Sequence, residues 1–293
     1  MTQNRALTVA AAQIESHLGD LEANVDKHLA VMEEARAAGV DVLLFPEMSL
    51  TGHGAGTEVL RLALSREDPR LARLAEATGD MTTIVGLMEE GIAAQFYNTA
   101  IALRSGEQLF LHRKINLATY GRLEDGKHFA GGRYVDTFEL GGPWRSSVMI
   151  CADLWNPGLV NLVALHGCTI LFAPISSALE AVGGEFDNPS GWHLNVRFYG
   201  MTYGLPLVMA NRVGREGGLE FWGGSCVVDA FGRMVAQADA DEETLVTAEI
   251  DYDVVRRARY LLPTVRDSNL ALVLREAQRL EGIIGVPLSV RGS

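Results

Sequence analysis

Three reactive side chains stand at the ends of apolar runs in this chain: Glu47 after Asp41 to Phe45, Lys114 near the close of Gln108 to Ile115, and Cys151 after Ser146 to Ile150. Taken singly, a strand-end Glu or Lys is ordinarily a solvated loop charge, and a free Cys is ordinarily a small buried hydrophobe. Taken together, a thiol, an ammonium and a carboxylate are what amide chemistry at sulfur requires. A thiol titrates near about 8.5, so at neutral pH it needs a cation beside it or a base to take its proton. Its attack on a carbonyl carbon creates an oxyanion, which an ammonium and the backbone N–H just after the nucleophile, here that of Ala152, are suited to stabilise. The carboxyl group then protonates the departing nitrogen and later activates the water that releases the acyl group.

The elements that must position these groups follow from periodicity. Ala6 to Gln13 reads as a strand, and Leu21, Val25, Leu29 and Met32 behind a capping Asp20 read as an amphipathic helix. Asp41 to Phe45 is a short continuous apolar run, as in a strand covered on both faces. Thr82 to Glu89, Tyr97 to Leu103 and Gln108 to Ile115 read as successive strands, with Ser105-Gly106 as a hairpin turn. Ser146 to Cys151 is a further strand, followed by a helix from Gly158 to His166 and a buried strand from Cys168 to Pro174. Later strands are expected at 207–210, 225–228, 234–236 and 245–250, and helices near 192–203, 254–261 and 270–280. The pattern is α/β, in which ligands gather beyond the carboxyl ends of strands, where all three reactive groups fall.

Composition narrows the function classes. With 293 residues and 48% hydrophobic content, one large domain over 1–293 is expected, with a helical tail from about 264. Twenty-five Lys plus Arg against 37 Asp plus Glu gives a net charge of −12, and no basic stripe relieves it, so nucleic acid is not an expected partner. The N-terminal stretch lacks a charged segment followed by an apolar core of signal length, so neither secretion nor a membrane is expected and a cytoplasmic location is. Three cysteines without CxxC spacing argue against a disulfide framework or a structural zinc site. Cys168 and Cys226, embedded in apolar runs, read as core.

Phe45-Pro46-Glu47-Met48-Ser49-Leu50-Thr51-Gly52, His112-Arg113-Lys114-Ile115-Asn116-Leu117 and Ile150-Cys151-Ala152-Asp153-Leu154-Trp155 resemble, in order, the three signature segments of the nitrilase or carbon–nitrogen hydrolase superfamily. Ala210 to Gly214, Phe221 to Ser225 and Asp229 to Gly232 extend the likeness, which runs from about residue 6 to about 260. The resemblance implies a four-layer α-β-β-α sandwich and a Glu47, Lys114 and Cys151 triad. It further implies no metal, no organic cofactor, a small-molecule amide substrate, and pairing through helices into a homodimer or higher homo-oligomer.

Two departures stand out. Where the family often carries a second carboxylate after its lysine, this chain has Tyr120-Gly121-Arg122-Leu123-Glu124-Asp125, with Asp125 in the aligned place. Asp is one methylene shorter than Glu, so one of the pair, with Glu124 preferred for its reach, is expected to point at Lys114 or the substrate nitrogen. The residue after the nucleophile is Ala152, and the Cys-Ala-Asp-Leu-Trp run is most similar to the glutamine-hydrolysing domains of NAD synthetases, although no Ser-Gly-Gly-x-Asp-Ser loop of a fused synthetase is present.

Tyr120, Trp155, Ser176 and Phe221 adjoin the motif segments and are expected to line the acyl pocket, or else to pack; His53 and His128 are weighed in the same way. Arg256-Arg257-Ala258-Arg259 reads as a solvated helix face, and the histidines lack metal-ligand spacing such as HExxH. Rival readings remain: a Cys–His enzyme with His112 or His166 as base, a catalytically silent binding protein, or a hydrolase of an N-carbamoyl compound or nitrile.

Overall fold

The computed structural model describes residues 5–54, 58–239 and 242–284. The first half of the chain builds β1 (Ala6–Gln13), α1 (Leu21–Ala37), β2 (Val42–Leu44), α2 (Val59–Leu62), α3 (Pro69–Ala77), β3 (Thr82–Glu90), β4 (Phe96–Arg104) and β5 (Glu107–Arg113). The second builds α4 (Asp125–His128), β6 (Phe138–Gly141), β7 (Trp144–Val148), α5 (Pro157–Leu165), β8 (Ile170–Pro174), α6 (Asn188–Tyr203) and β9 (Leu207–Ala210). It continues with β10 (Val213–Glu216), β11 (Leu219–Trp222), β12 (Cys226–Val228), β13 (Met234–Gln237), β14 (Thr244–Asp251), α7 (Tyr252–Leu261) and α8 (Leu270–Ile284).

Two six-stranded sheets result, in the orders β14-β1-β2-β3-β4-β5 and β13-β12-β9-β8-β7-β6, with β10 and β11 as a separate hairpin. Strand alternation explains how they stack. Leu7, Val9, Ala11, Val42, Leu44, Ala100 and Ala102 face the second sheet in one core, while Ala10, Ala12, Leu43, Phe45, Ile101 and Leu103 face α1 and α3 in another. The outer face of the second sheet is covered by α5 and α6 through Val160, Val163, Trp192 and Val196. The fold is therefore the four-layer α-β-β-α sandwich.

In α1, Asp20 caps through the Ala23 N–H at 3.1 Å, and Leu21, Val25 and Met32 are buried. α3 was not among the expected helices, although Asp68-Pro69 places a cap and an N1 proline ahead of Leu71, Leu74 and Ala75, which are buried. The strand expected at 146–151 instead begins at Trp144 and ends at Val148, paired with β6 across a hairpin. Arg259 departs from its expected solvated face. It is half-buried and donates through Nε to the carbonyls of Tyr203 and Gly204 at 3.2 Å, tying α7 to the end of α6. Residues after 284 lie outside the described part of the chain. Among the described residues no helix is long and apolar enough to cross a membrane.

β2–β3, β7–β8 and β8–β9 are parallel, and β5 returns to the direction of β3 through two antiparallel pairings. The carboxyl ends of β2, β5, β7 and β8 consequently open toward one edge of the sandwich. The two sheets are joined there by the Glu47 N–H, which donates to the Ile175 carbonyl at 3.3 Å.

Candidate active site

Cys151 does not end its strand in extended conformation; it opens a 3₁₀ turn, Cys151–Trp155, with φ +44. A non-glycine residue in the left-handed region is held there only by its surroundings. The holding group is Asp153. Its fully buried carboxylate accepts from the Ile150 N–H at 3.1 Å within its own turn, and from the Ile115 and Asn116 N–H groups at 2.9 and 2.7 Å. His112 Nε2 lies 2.9 Å from the same carboxylate. One side chain thus fastens the turn carrying Cys151 to the segment immediately after Lys114. Ala152, in the first turn of the 3₁₀ helix, has an N–H with no acceptor inside the helix.

Glu47 lies in a tight turn after β2, with Met48 at φ +49. The turn rests directly on Gly86 of β3, where a Cβ would stand 2.5 Å from both the Met48 nitrogen and the Pro46 oxygen. Gly86 is therefore required by close backbone approach. From the helix side, the buried His28 ring stacks on Phe45 with centroids 4.0 Å apart, and its Nε2 lies 2.9 Å from Ser49 Oγ. Burial pushes the His28 pKa down to about 4, so the ring packs there neutral.

Lys114 follows β5 and is buried, with its ammonium donating to Glu47 Oε1 at 2.6 Å and to Asp125 Oδ2 at 2.7 Å. Burial alone disfavours the ammonium, but Glu47 and Asp125 outweigh it and hold Lys114 well above the ordinary lysine value. Asn98 of β4 donates to Glu47 Oε1 at 2.7 Å, which leaves the buried Oε2 with no partner. The Cys151 thiol is raised well above its ordinary value, first by burial and then by Glu47, with Lys114 pulling the other way. The resting arrangement is thus a protonated thiol, an ammonium and a carboxylate with one free oxygen.

The structure corrects the preference for Glu124. Asp125 is buried against Lys114, whereas Glu124 is exposed and pairs with Lys127. The missing methylene is made up by the backbone. Asp125 N–H donates to the Ala118 carbonyl at 3.0 Å and Ala118 N–H to Asp125 Oδ2 at 3.3 Å, drawing the loop inward as a closed ring. Gly121, at φ +60, lets the loop pass Ala181, whose carbonyl oxygen a Cβ would meet at 2.0 Å. Burial raises the Asp125 pKa, but Lys114 outweighs it and holds the carboxyl below its usual range.

Of the other expected residues, Ser176 is buried and its Oγ has no partner. Tyr120, partly exposed, lies within the field of Cys151 and Lys114, and burial pushes its phenol up. Phe221 is buried under Arg212, whose guanidinium sits 4.3 Å from the ring centre. Trp155 packs on Trp192 and Phe186 with centroids 4.8 and 5.8 Å away. His53 Nε2 is 3.9 Å from Asp125 Oδ1, while His128 packs beside Phe129. His112 is committed to Asp153, and His166 is exposed at the C-cap of α5, so neither fits the histidine-base reading.

Sequence reasoning assigned no role to Asp153, Asn98 or His28. Asn98 did carry a signal, since an Asn inside an apolar strand must find a buried partner.

A carbon–nitrogen hydrolase family model matches residues 8–260. The chain is 31% identical over 266 residues to a glutamine-dependent NAD(+) synthetase of Thermotoga maritima, covering 89% of this chain and 45% of that one. It spans about half the length of the curated synthetases it matches. It is 23% identical over 287 residues to an N-carbamoylputrescine amidase of Arabidopsis thaliana, covering 91% of this chain and 94% of that one. A carbon–nitrogen hydrolase from Helicobacter pylori has the same fold, with a TM-score of 0.80 at 22% identity over 91% of this chain and 96% of that one.

Proposed function

The chain belongs to the carbon–nitrogen hydrolase family, and from that premise we propose that it hydrolyses a small amide through a thioester on Cys151, with Glu47 as proton carrier and Lys114 as electrostatic partner. The observation that carries this reading is the Lys114 ammonium held between two buried carboxylates, one of which, Glu47, keeps an unpartnered oxygen.

Because burial and Glu47 hold the thiol protonated, attack requires a base in the same step. Glu47 takes the Sγ proton as the S–C bond forms and the carbonyl electrons move to oxygen. The oxyanion is met by the Lys114 ammonium and the Ala152 N–H. Glu47 then gives its proton to the nitrogen, the C–N bond breaks, and ammonia or an amine leaves. In the second half Glu47 deprotonates water, the new C–O bond forms, the C–S bond breaks, and the proton returns to sulfur. Asp125 stays ionised beside Lys114 and keeps it charged throughout. Asp153 acts through position alone.

The glutamine dependence in the synthetase's name makes the side-chain amide of glutamine the first compound to test. Two copies of the chain are inferred to pair through α6, where Leu194, Phe198 and Met201 are exposed apolar side chains on one helix. Ammonia release across amides including glutamine, N-carbamoyl amino acids and nitriles, with Cys151→Ala as blank, tests the substrate class. Release from an amide supports the reading. Release confined to carbamoyl compounds or nitriles replaces it, and no release from any of the panel favours a silent binding protein.

A further inference from the structure

Beside the edge strand β5 lies a cavity of about 340 Å³ whose lining includes none of Glu47, Lys114, Asp125 and Cys151. Its lining residues include three arginines from separate segments, Arg66, Arg113 and Arg133, together with Tyr97, Tyr134 and His112. Arg113 is fixed in two ways. It donates to the buried Glu89 from Nε and Nη2 at 2.8 and 2.7 Å, and its guanidinium lies 3.7 Å from the centre of the Tyr97 ring. Arg66 gives its Nε to the same carboxylate at 3.0 Å. Among the described residues, Arg113 Nη1, both terminal nitrogens of Arg66 and the whole Arg133 guanidinium have no acceptor.

Three arginines and one carboxylate, Asp136, are among the lining residues; Glu89, outside the lining, pairs with Arg66 and Arg113, and among the described residues Arg133 has no carboxylate partner, in a chain whose net charge is −12. Guanidinium N–H groups in a fixed fork match the oxygens of carboxylate and phosphate, and a pre-fixed arginine loses little freedom on binding them. The wall is preformed as well. Gly132 donates to the Lys114 carbonyl at 2.8 Å and packs so close to β5 that a Cβ would stand 2.1 Å from the Arg113 oxygen. His112, part of the lining, holds Asp153, which in turn holds the Ile150 N–H beside the nucleophile.

We propose that this cavity binds a small molecule carrying an oxyanion group, phosphate or carboxylate, and that its occupancy acts on the Cys151 turn through His112 and Asp153.

The test is calorimetric titration of the full chain with inorganic phosphate and, separately, with acetate, at ionic strength held constant with chloride. Arg133→Ala and Arg66→Ala are titrated alongside. Both side chains reach solvent, and Glu89 keeps Arg113 and Thr99 as partners in either variant. Arg113 is left in place because its loss would strand Glu89. Saturable binding of at least one anion is expected, weakened about tenfold or more in each variant, and the anion that binds identifies the group. The coupling is read by the rate at which iodoacetamide alkylates Cys151, which needs no substrate and so stands apart from the proposed hydrolysis. A shift of about twofold or more on saturation is expected in the unsubstituted chain and not in the variants. Absence of saturable binding by either anion, or binding that survives both substitutions, overturns the site. Binding that leaves the alkylation rate unmoved overturns the coupling.

Discussion

The Asp125 carboxylate lies 2.7 Å from the Lys114 ammonium, although Asp125 is the shorter and Glu124 the longer of two adjacent acids. Backbone placement has outweighed side-chain reach, because the Ala118–Asp125 ring brings the short side chain in and turns its neighbour out. Asp125→Asn is expected to lower kcat/KM on the best amide by about tenfold or more, since Lys114 loses one of the two charges that keep it an ammonium. Glu124→Gln should stay within about twofold. Comparable losses in both variants, or none in either, count against this assignment.

Glu47→Gln should depress both halves of the reaction, because one carboxyl group moves the proton in each. It should also slow alkylation of Cys151 by iodoacetamide, as the buried, protonated thiol loses the carboxylate whose Oε2 has no partner. Lys114→Ala should mainly slow acylation, and a drop below about tenfold contradicts its electrostatic role. Single-turnover measurements of acylation and deacylation separate the two.

Asp153→Asn replaces a four-way acceptor by a group with a single acceptor oxygen and an N–H that competes with its donors. The expected result is a fall in kcat of about tenfold or more with little change in KM, and slower alkylation of Cys151. A purely structural role would lower stability by about 1–3 kcal/mol while leaving the kcat and alkylation rates of the folded fraction intact.

The pH dependence of stability should carry the signature of His28. Its folded pKa is depressed to about 4 by burial, so its contribution is fully present above the unfolded value of about 6.5 and is lost as pH falls through about 4. The loss across that window is on the order of 3 kcal/mol. Urea denaturation at pH 7, 5.5 and 4.5 checks it: His28→Gln should flatten the slope, and an unchanged slope places its origin elsewhere.

Apolar runs and the helical pattern made most strands and the α1 stripe legible, though not β6, β10 or β11, and the ordered motifs pointed to Glu47, Lys114 and Cys151. What stayed hidden depends on groups distant in the chain. Asp153 is visible as an acid two residues after a cysteine, but its partners at 112, 115 and 116 exist only once β5 and β7 are placed. Gly86 likewise looks like an ordinary interruption of a strand until the turn at 46–48 is laid across it. The preference for Glu124 over Asp125 failed for the same reason, because side-chain length was weighed without the loop's own hydrogen bonds.

The central claim is a covalent acyl group on Cys151, and peptide mapping by mass spectrometry after acid quench of the enzyme turning over its best amide tests it most directly. Cys168 and Cys226 serve as internal controls, both buried and both with thiols pushed up to about 12 by burial. The account predicts an acyl adduct on the peptide containing Cys151 alone, and no turnover in Cys151→Ala. An adduct on any other residue, or turnover that persists in Cys151→Ala, contradicts it.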